Sequence, residues 1–217
     1  MGAGSNAAGR ALSEMYDRLH ASFGPQRWWP AETPFEVIVG AILTQSVSWT
    51  NVAQAIANLK QAGLLDPRGL FVTPNEEIEP LVRPTGYYRQ KVKKLKSFLE
   101  YFWGRHGGSL IRMFATPAGE LRGELLAVWG LGRETVDSIM LYAGGLPTFV
   151  VDAYTVRVLS RLGLVPPDAA YEDVRALFMN NLPANPRMFN EYHALLVHLG
   201  KHYCTKRGPA CGECPLR

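Results

Sequence analysis

The chain has 217 residues, 47% hydrophobic and 19% charged, with a formal net charge of +4 and three cysteines. That length accommodates one large domain or two small ones, and the apolar content excludes a disordered or low-complexity protein. Three cysteines exclude a disulfide scaffold, and the positive balance mildly favours a polyanionic partner. The best apolar run, Phe35 to Leu43, is too short for a bilayer and carries Glu36, so no membrane partner is expected. Met1–Asn6 carry no fold signal. No basic region followed by an apolar core opens the chain, so no secretory signal is read and a reducing intracellular setting is the default.

Taken in chain order, the periodicity is helical. Thr33-Pro34-Phe35-Glu36 combines an N-cap, a proline at the first helical position and a capping-box acid. Phe35, Ile38, Val39, Ile42 and Leu43 behind it form one buried stripe. Thr73-Pro74-Asn75-Glu76 repeats the start signal before Ile78, Leu81 and Val82, and Thr116-Pro117 starts another segment. Arg89, Lys91, Lys93, Lys94 and Lys96 lie on a basic helix whose inner side is Val92, Leu95, Phe98 and Leu99. Pro166-Pro167 and Pro183-Ala184-Asn185-Pro186 punctuate the last third. No alternating strand pattern and no hairpin turn signals occur. The expectation is an all-α protein of roughly ten helices, given helices of about 11 residues.

The densest stretch is Trp129-Gly130-Leu131-Gly132-Arg133-Glu134-Thr135-Val136, followed by Ile139, Met140 and Ala143 at helical spacing. A Gly-x-Gly turn between two helices leaves backbone N–H groups uncovered at the start of the second, where the helix dipole favours a phosphate. The same glycines also suit a plain helical hairpin. A dinucleotide fingerprint is excluded, because no strand precedes the turn and the third glycine is missing. Further on, Val150-Val151-Asp152-Ala153-Tyr154-Thr155 places an acid directly before a helical segment. Asp152 reads as an N-cap, where N–H groups and the dipole favour a carboxylate. In a cleft such a carboxylate stabilises an oxocarbenium-like transition state or activates a water; elsewhere it is only a cap.

Gly130-Leu131-Gly132-Arg133-Glu134-Thr135 followed by Val151-Asp152 resembles the helix-hairpin-helix, Gly/Pro-rich loop and aspartate signature of the endonuclease III superfamily of DNA glycosylases. Ala41-Ile42-Leu43-Thr44-Gln45 is similar to its helix ending in a DNA-reaching glutamine. Thr85-Gly86-Tyr87-Tyr88-Arg89-Gln90-Lys91 is similar to its glycine-aromatic-basic loop. Cys204-x6-Cys211-x2-Cys214 resembles three of the four ligands of its [4Fe–4S] cluster. The fourth would be expected about six residues beyond Cys214, further than the sequence extends. Arg27-Trp28-Trp29-Pro30 with Phe35 to Gln45 resembles the bacterial 3-methyladenine glycosylase branch. That branch lacks the cysteine motif, so the chain combines features of two subfamilies.

The resemblance implies two helical domains flanking a cleft. Residues 33–144 form a bundle with the hairpin, and residues 1–32 plus 145–217 form a second domain with the cysteine loop. It implies double-stranded DNA with a damaged base as partner, a monomer, and a cytoplasmic, nucleoid-associated setting. It puts Asp152 and Glu134 at the catalytic position. Bifunctional members attack the sugar with a lysine where this chain has Glu134, and a carboxylate cannot form an imine. The implied activity is therefore a glycosylase without strand cleavage, most simply on an alkylated purine. The cysteine motif favours the alternative of a uracil, mismatch or oxidised-pyrimidine substrate. A non-catalytic DNA-binding module, with Asp152 merely a cap, is the rival of another class.

Gln45 as a plug and Tyr87 as an aromatic wedge are expected to fill the gap left by a flipped base. Gly130, Gly132, Arg133 and Thr135 of the hairpin, with Lys91, are expected at DNA phosphates. Trp28, Trp29, Trp49 and Tyr154 are expected to line the base pocket, where a cationic base gains cation–π attraction. His193, His198 and His202 share one late helical segment, and packing is the simplest account of them.

Overall fold

Proline and short polar caps start most of the helices, as the sequence signals require. The fold is given by a computed structural model that describes residues 3–217; the first two residues lie outside it. In order the helices are α1 (Ala3–Phe23), α2 (Pro34–Leu43), α3 (Trp49–Gln61), α4 (Pro67–Val72), α5 (Asn75–Val82) and α6 (Tyr88–His106). There follow α7 (Leu110–Phe114), α8 (Ala118–Ala127), α9 (Arg133–Ser138), α10 (Ala153–Arg161), α11 (Tyr171–Asn181) and α12 (Pro186–His202). Twelve α-helices and no strand occur among the described residues, and α9 runs on into a π-helical turn, Ile139–Ala143. None of these helices is long and apolar enough to cross a membrane.

The chain divides into two compact units. One is Ala31–Leu146; the other joins the chain up to Pro30 to Pro147–Arg217. Each junction lies two residues from the boundary expected from the sequence.

At the centre of the first unit lies α2. The sequence predicts a single apolar stripe, but every residue from Phe35 to Leu43 is buried. A helix enclosed on all sides cannot keep a polar face, and this one has only Glu36 to satisfy. Helices α3, α6 and α9 with its π turn surround it. Thr33 caps α2 by accepting the Glu36 N–H at 3.1 Å. The Glu36 carboxylate accepts the Glu32 N–H at 3.0 Å instead of that of the cap residue, and pairs with Lys60 at 3.1 Å. The two later start signals act differently. Thr73 ends α4 rather than capping α5, and Pro74 and Pro117 themselves stand at the N-cap positions of α5 and α8.

In the other unit α12 packs against α1 and α10, and α1 against α11. Its core is aromatic. Phe149 stacks on Phe178 with centroids 3.6 Å apart, and Tyr192 meets both edge-on. The fully buried Tyr192 hydroxyl donates to the Leu12 carbonyl at 2.8 Å, which ties α1 into the unit.

The hairpin of α8 and α9 carries its own ion pair inside. Asp137, completely buried, receives Arg122 in a two-point grip of 2.9 and 3.0 Å. Removing one partner of such a pair withdraws the charge that compensates the other. Arg122→Met should lower unfolding stability by about 3–5 kcal/mol, read by urea denaturation; a loss below about 1 kcal/mol would show that the pair does not hold the hairpin.

Candidate functional site

The hairpin turn spans Val128 to Gly132, and its two glycines are there for different reasons. Gly130 has φ +84°, and a Cβ there would run into the aliphatic chain of Lys94. Gly132 has an ordinary extended φ of −89°, and a Cβ would meet no protein atom within 4 Å. Nothing inside the protein requires Gly132 to lack a side chain. It is exposed, as are Arg133 and Glu134 in the first turn of α9. Trp129, not singled out from the sequence, is 56% exposed beside them.

Behind the turn lies a polar junction. Gln45, just beyond the end of α2, donates through Nε2 to the Gly130 carbonyl and to the Thr135 hydroxyl, both at 3.1 Å. The Lys94 ammonium donates to Gln45 Oε1 in a short contact. Gln45, Gly130 and Thr135, predicted as separate DNA contacts, are thus brought together with Lys94. Thr135 departs from its expected role, because its buried hydroxyl is engaged by Gln45.

Lys91 departs further. It was expected at a phosphate, yet it is buried, and its Nζ donates to Leu43 O at 2.8 Å and Thr85 O at 2.6 Å. The physical reason is the end of α2, whose last carbonyls have no partner within the helix and no access to water. Burial, and then the nearby Lys94 charge, push the Lys91 pKa down to about 8. Lys96 does the same work for α4, donating to the carbonyls of Leu70, Phe71 and Thr73. Arg89 and Lys93 are the exposed members of the basic helix, Arg89 lying 3.4 Å from Glu79.

Tyr87 follows Gly86 in a left-handed turn, with φ +45°, and its side chain is 84% exposed. A non-glycine residue in this region costs about 1 kcal/mol or more and is held only by its surroundings. Here they are the 3₁₀ turn Arg83–Thr85, anchored by Lys91, and the first turn of α6.

In the other unit, Phe149, Val150 and Val151 are buried in succession, and this carries Asp152 to the N-terminus of α10 with its side chain 13% exposed. Its Oδ1 accepts the Thr155 N–H at 2.7 Å and the Thr155 hydroxyl at 2.9 Å. Its Oδ2 lies 3.7 Å from Nε2 of His193, on α12. His193 is buried, and desolvation lowers its pKa against the opposing pull of Asp152. The sequence offered no sign of this pairing, since the two residues are distant in the chain.

Trp28 and Trp29 are half-buried and meet edge-to-face at 5.3 Å. Trp49 opens α3. Tyr154 is half-buried on α10. It packs on Gly200, where a Cβ would come within 2.7 Å of its ring, and the Arg157 guanidinium lies over it at 5.0 Å. The absence of a side chain at Gly200 is what leaves room for Tyr154 against α12.

Arginines of α10 shape the cysteine loop. Arg157 donates to Gly200 O and Cys204 O, and Arg161 to Thr205 O, Lys206 O and Cys204 Sγ. Cys211 is exposed, and no three His, Cys, Asp or Glu side chains among the described residues group as a metal ion needs. The three thiols would supply three of the four ligands that a [4Fe–4S] cluster takes, and an N–H donor such as Arg161 at Cys204 Sγ is compatible with a ligating thiolate.

Comparison with known proteins agrees with this architecture. The family model for HhH-GPD superfamily base excision DNA repair proteins matches residues 39–184. A Methanocaldococcus jannaschii protein, provisionally named a DNA repair glycosylase, is 42% identical over 208 residues, which is 95% of this chain and 94% of that protein. The solved structure of a non-covalent endonuclease III–DNA complex superposes with a TM-score of 0.81 at 23% identity, covering 96% of this chain and 92% of that one. A Helicobacter pylori 3-methyladenine DNA glycosylase bound to 1,N6-ethenoadenine superposes with a TM-score of 0.73 at 26% identity, covering 91% and 97%. The fold is a helix-hairpin-helix fold of the endonuclease III type. The chain belongs to the HhH-GPD superfamily of base excision DNA repair proteins.

The two hairpin glycines should separate in a stability measurement. Gly130→Ala should cost about 1–2 kcal/mol through its positive φ and the Lys94 contact, while Gly132→Ala should stay within about 0.5 kcal/mol of wild type. Equal losses in thermal denaturation would overturn the distinction.

Proposed function

We propose that the protein is a monofunctional DNA N-glycosylase that removes a damaged base, with an alkylated purine as the first-choice substrate. The observation that carries the reading is Asp152, a carboxylate fixed at a helix N-terminus through one oxygen and presenting the other. In this reading the C1′–N bond breaks, and the base departs with the bonding electron pair. The Asp152 carboxylate stabilises the oxocarbenium-like sugar. Water then adds at C1′, and Asp152 takes its proton.

Glu134 supports hydrolysis without strand cleavage. It stands in the first turn of α9, where bifunctional relatives would carry the amine, and a carboxylate forms no Schiff base. The exposed Gly132 and the N–H groups that follow it suit a DNA phosphate, with Arg133 alongside. Tyr87, exposed in a strained turn, suits an aromatic wedge, and Gln45 holds the hairpin while lying close enough to the turn to act beside it. The edge-to-face Trp28–Trp29 pair offers aromatic surface to an electron-poor base. The Helicobacter pylori relative supports the choice of an alkylated purine.

The test is an excision panel. Duplexes carrying a methylated purine, 1,N6-ethenoadenine, uracil, a T·G mismatch or an oxidised pyrimidine are each split between neutral and alkaline work-up. Product after alkali alone, from an alkylated purine, is the expected result. Strand cleavage at neutral pH would overturn the role given to Glu134, and a productive pyrimidine lane would overturn the substrate class. Asp152→Asn should slow excision by roughly 10²–10⁴-fold while DNA binding persists. Full excision by that variant would remove Asp152 from the mechanism.

Gly132→Val should weaken binding to damaged and undamaged duplex alike, because a phosphate contact carries no sequence information. Unchanged affinity in a fluorescence-anisotropy titration would argue that the hairpin glycine serves packing only.

A further inference from the structure

We infer that His193 is a positioning residue for Asp152, steadying the carboxylate oxygen that the helix cap does not use. The inference rests on the reading of Asp152 given above. Asp152 Oδ1 is committed to Thr155 by two hydrogen bonds, so the chemistry falls to Oδ2. His193 Nε2 stands 3.7 Å from Oδ2, projecting from the middle of α12. That gap is too short for an intervening water and at least about half an ångström longer than a direct hydrogen bond. Catalytic contacts of this kind are often long without substrate and tighten as charge develops.

The surroundings make the imidazole a fixed neighbour. His193 is 5% exposed, between Tyr192 and Ala194, and the Phe149 ring meets it edge-on at 6.5 Å. Helices α10 and α12 are drawn close where Tyr154 lies on Gly200, and Arg157 bonds the Gly200 carbonyl at 2.7 Å. The groups facing the carboxylate are Thr155 from α10 and His193 from α12. Tyr171 of α11 holds the preceding residue, its hydroxyl accepting the Val151 N–H at 3.4 Å. The charge acting on His193 is that of Asp152, and desolvation outweighs it, which lowers the imidazole pKa and favours its neutral form.

With its proton on Nε2, the imidazole turns an N–H towards Oδ2 and fixes the orientation of the carboxylate. His193 keeps its own proton throughout. The proton released by water goes to Asp152, and no group besides those of the glycosylase reaction is required.

The experiment compares His193→Phe, His193→Gln and Asp152→Asn with wild type. Single-turnover excision from the productive duplex of the panel is followed from about pH 5 to about pH 9, alongside duplex affinity and thermal denaturation. His193→Phe should lose roughly 10- to 100-fold in rate, keep its affinity, and move the acid limb of the profile to higher pH. His193→Gln, whose amide N–H reaches towards the same carboxylate, should keep the rate within about tenfold and move the limb only part of the way. A folded His193→Phe with the wild-type rate and profile overturns the proposal. If that variant does not fold, an unaltered pH profile in His193→Gln overturns it instead. Excision retained by Asp152→Asn defeats the reading of Asp152 and this proposal with it. Excision lost in Asp152→Asn but untouched in His193→Phe defeats the proposal alone.

Discussion

A helix enclosed on every side must dispose of its last carbonyl groups without water, and α2 is such a helix. Lys91 meets this constraint by placing a buried ammonium on Leu43 O and Thr85 O. Much of the Ala31–Leu146 unit follows from it. Leu43 precedes Gln45 by two residues, and Thr85 precedes Tyr87 by two, so one cation anchors both of these segments. One helical turn along α6, Lys94 reaches Gln45, and Gln45 reaches the hairpin through Gly130 and Thr135. Most lysines of a basic helix would be read as a solvated or phosphate-facing row. Here three of the four lysines turn inward, Lys91 and Lys96 to carbonyls at helix ends and Lys94 to Gln45.

The acidic centre is built on a different principle. Three consecutive buried residues, Phe149 to Val151, draw the chain through an aromatic core and deliver Asp152 to the start of α10. Thr155 occupies one oxygen, and His193 stands near the other. A helix cap and a catalytic carboxylate are therefore compatible in one side chain, since a carboxylate has two oxygens and capping uses one. The weight of the functional reading falls on the second oxygen.

Much of this was legible in the residues themselves. Helical periodicity, the Thr33-Pro34 start, the Gly-x-Gly turn and the absence of strand patterning lead to an all-α fold with a helical hairpin, as found. Asp152 as an N-cap was legible too, because capping is a local event over three residues. What was not legible involves partners far apart in the chain. Lys91 and Thr135 point inward, Tyr154 lies against Gly200, and the cysteines are spaced for metal ligation without being grouped for it. Spacing constrains which residues share a face, but not which neighbour that face meets.

The sequence by itself determined the class of fold, the helix starts governed by local caps, and the family. These depend on residue type and short-range spacing, where propensity and capping act. Only the tertiary structure decided which lysines end helices, which of the two hairpin glycines the protein itself needs, and that His193 faces Asp152. Those outcomes depend on desolvation and on contacts across tens of residues, and such terms have no value until the helices are packed.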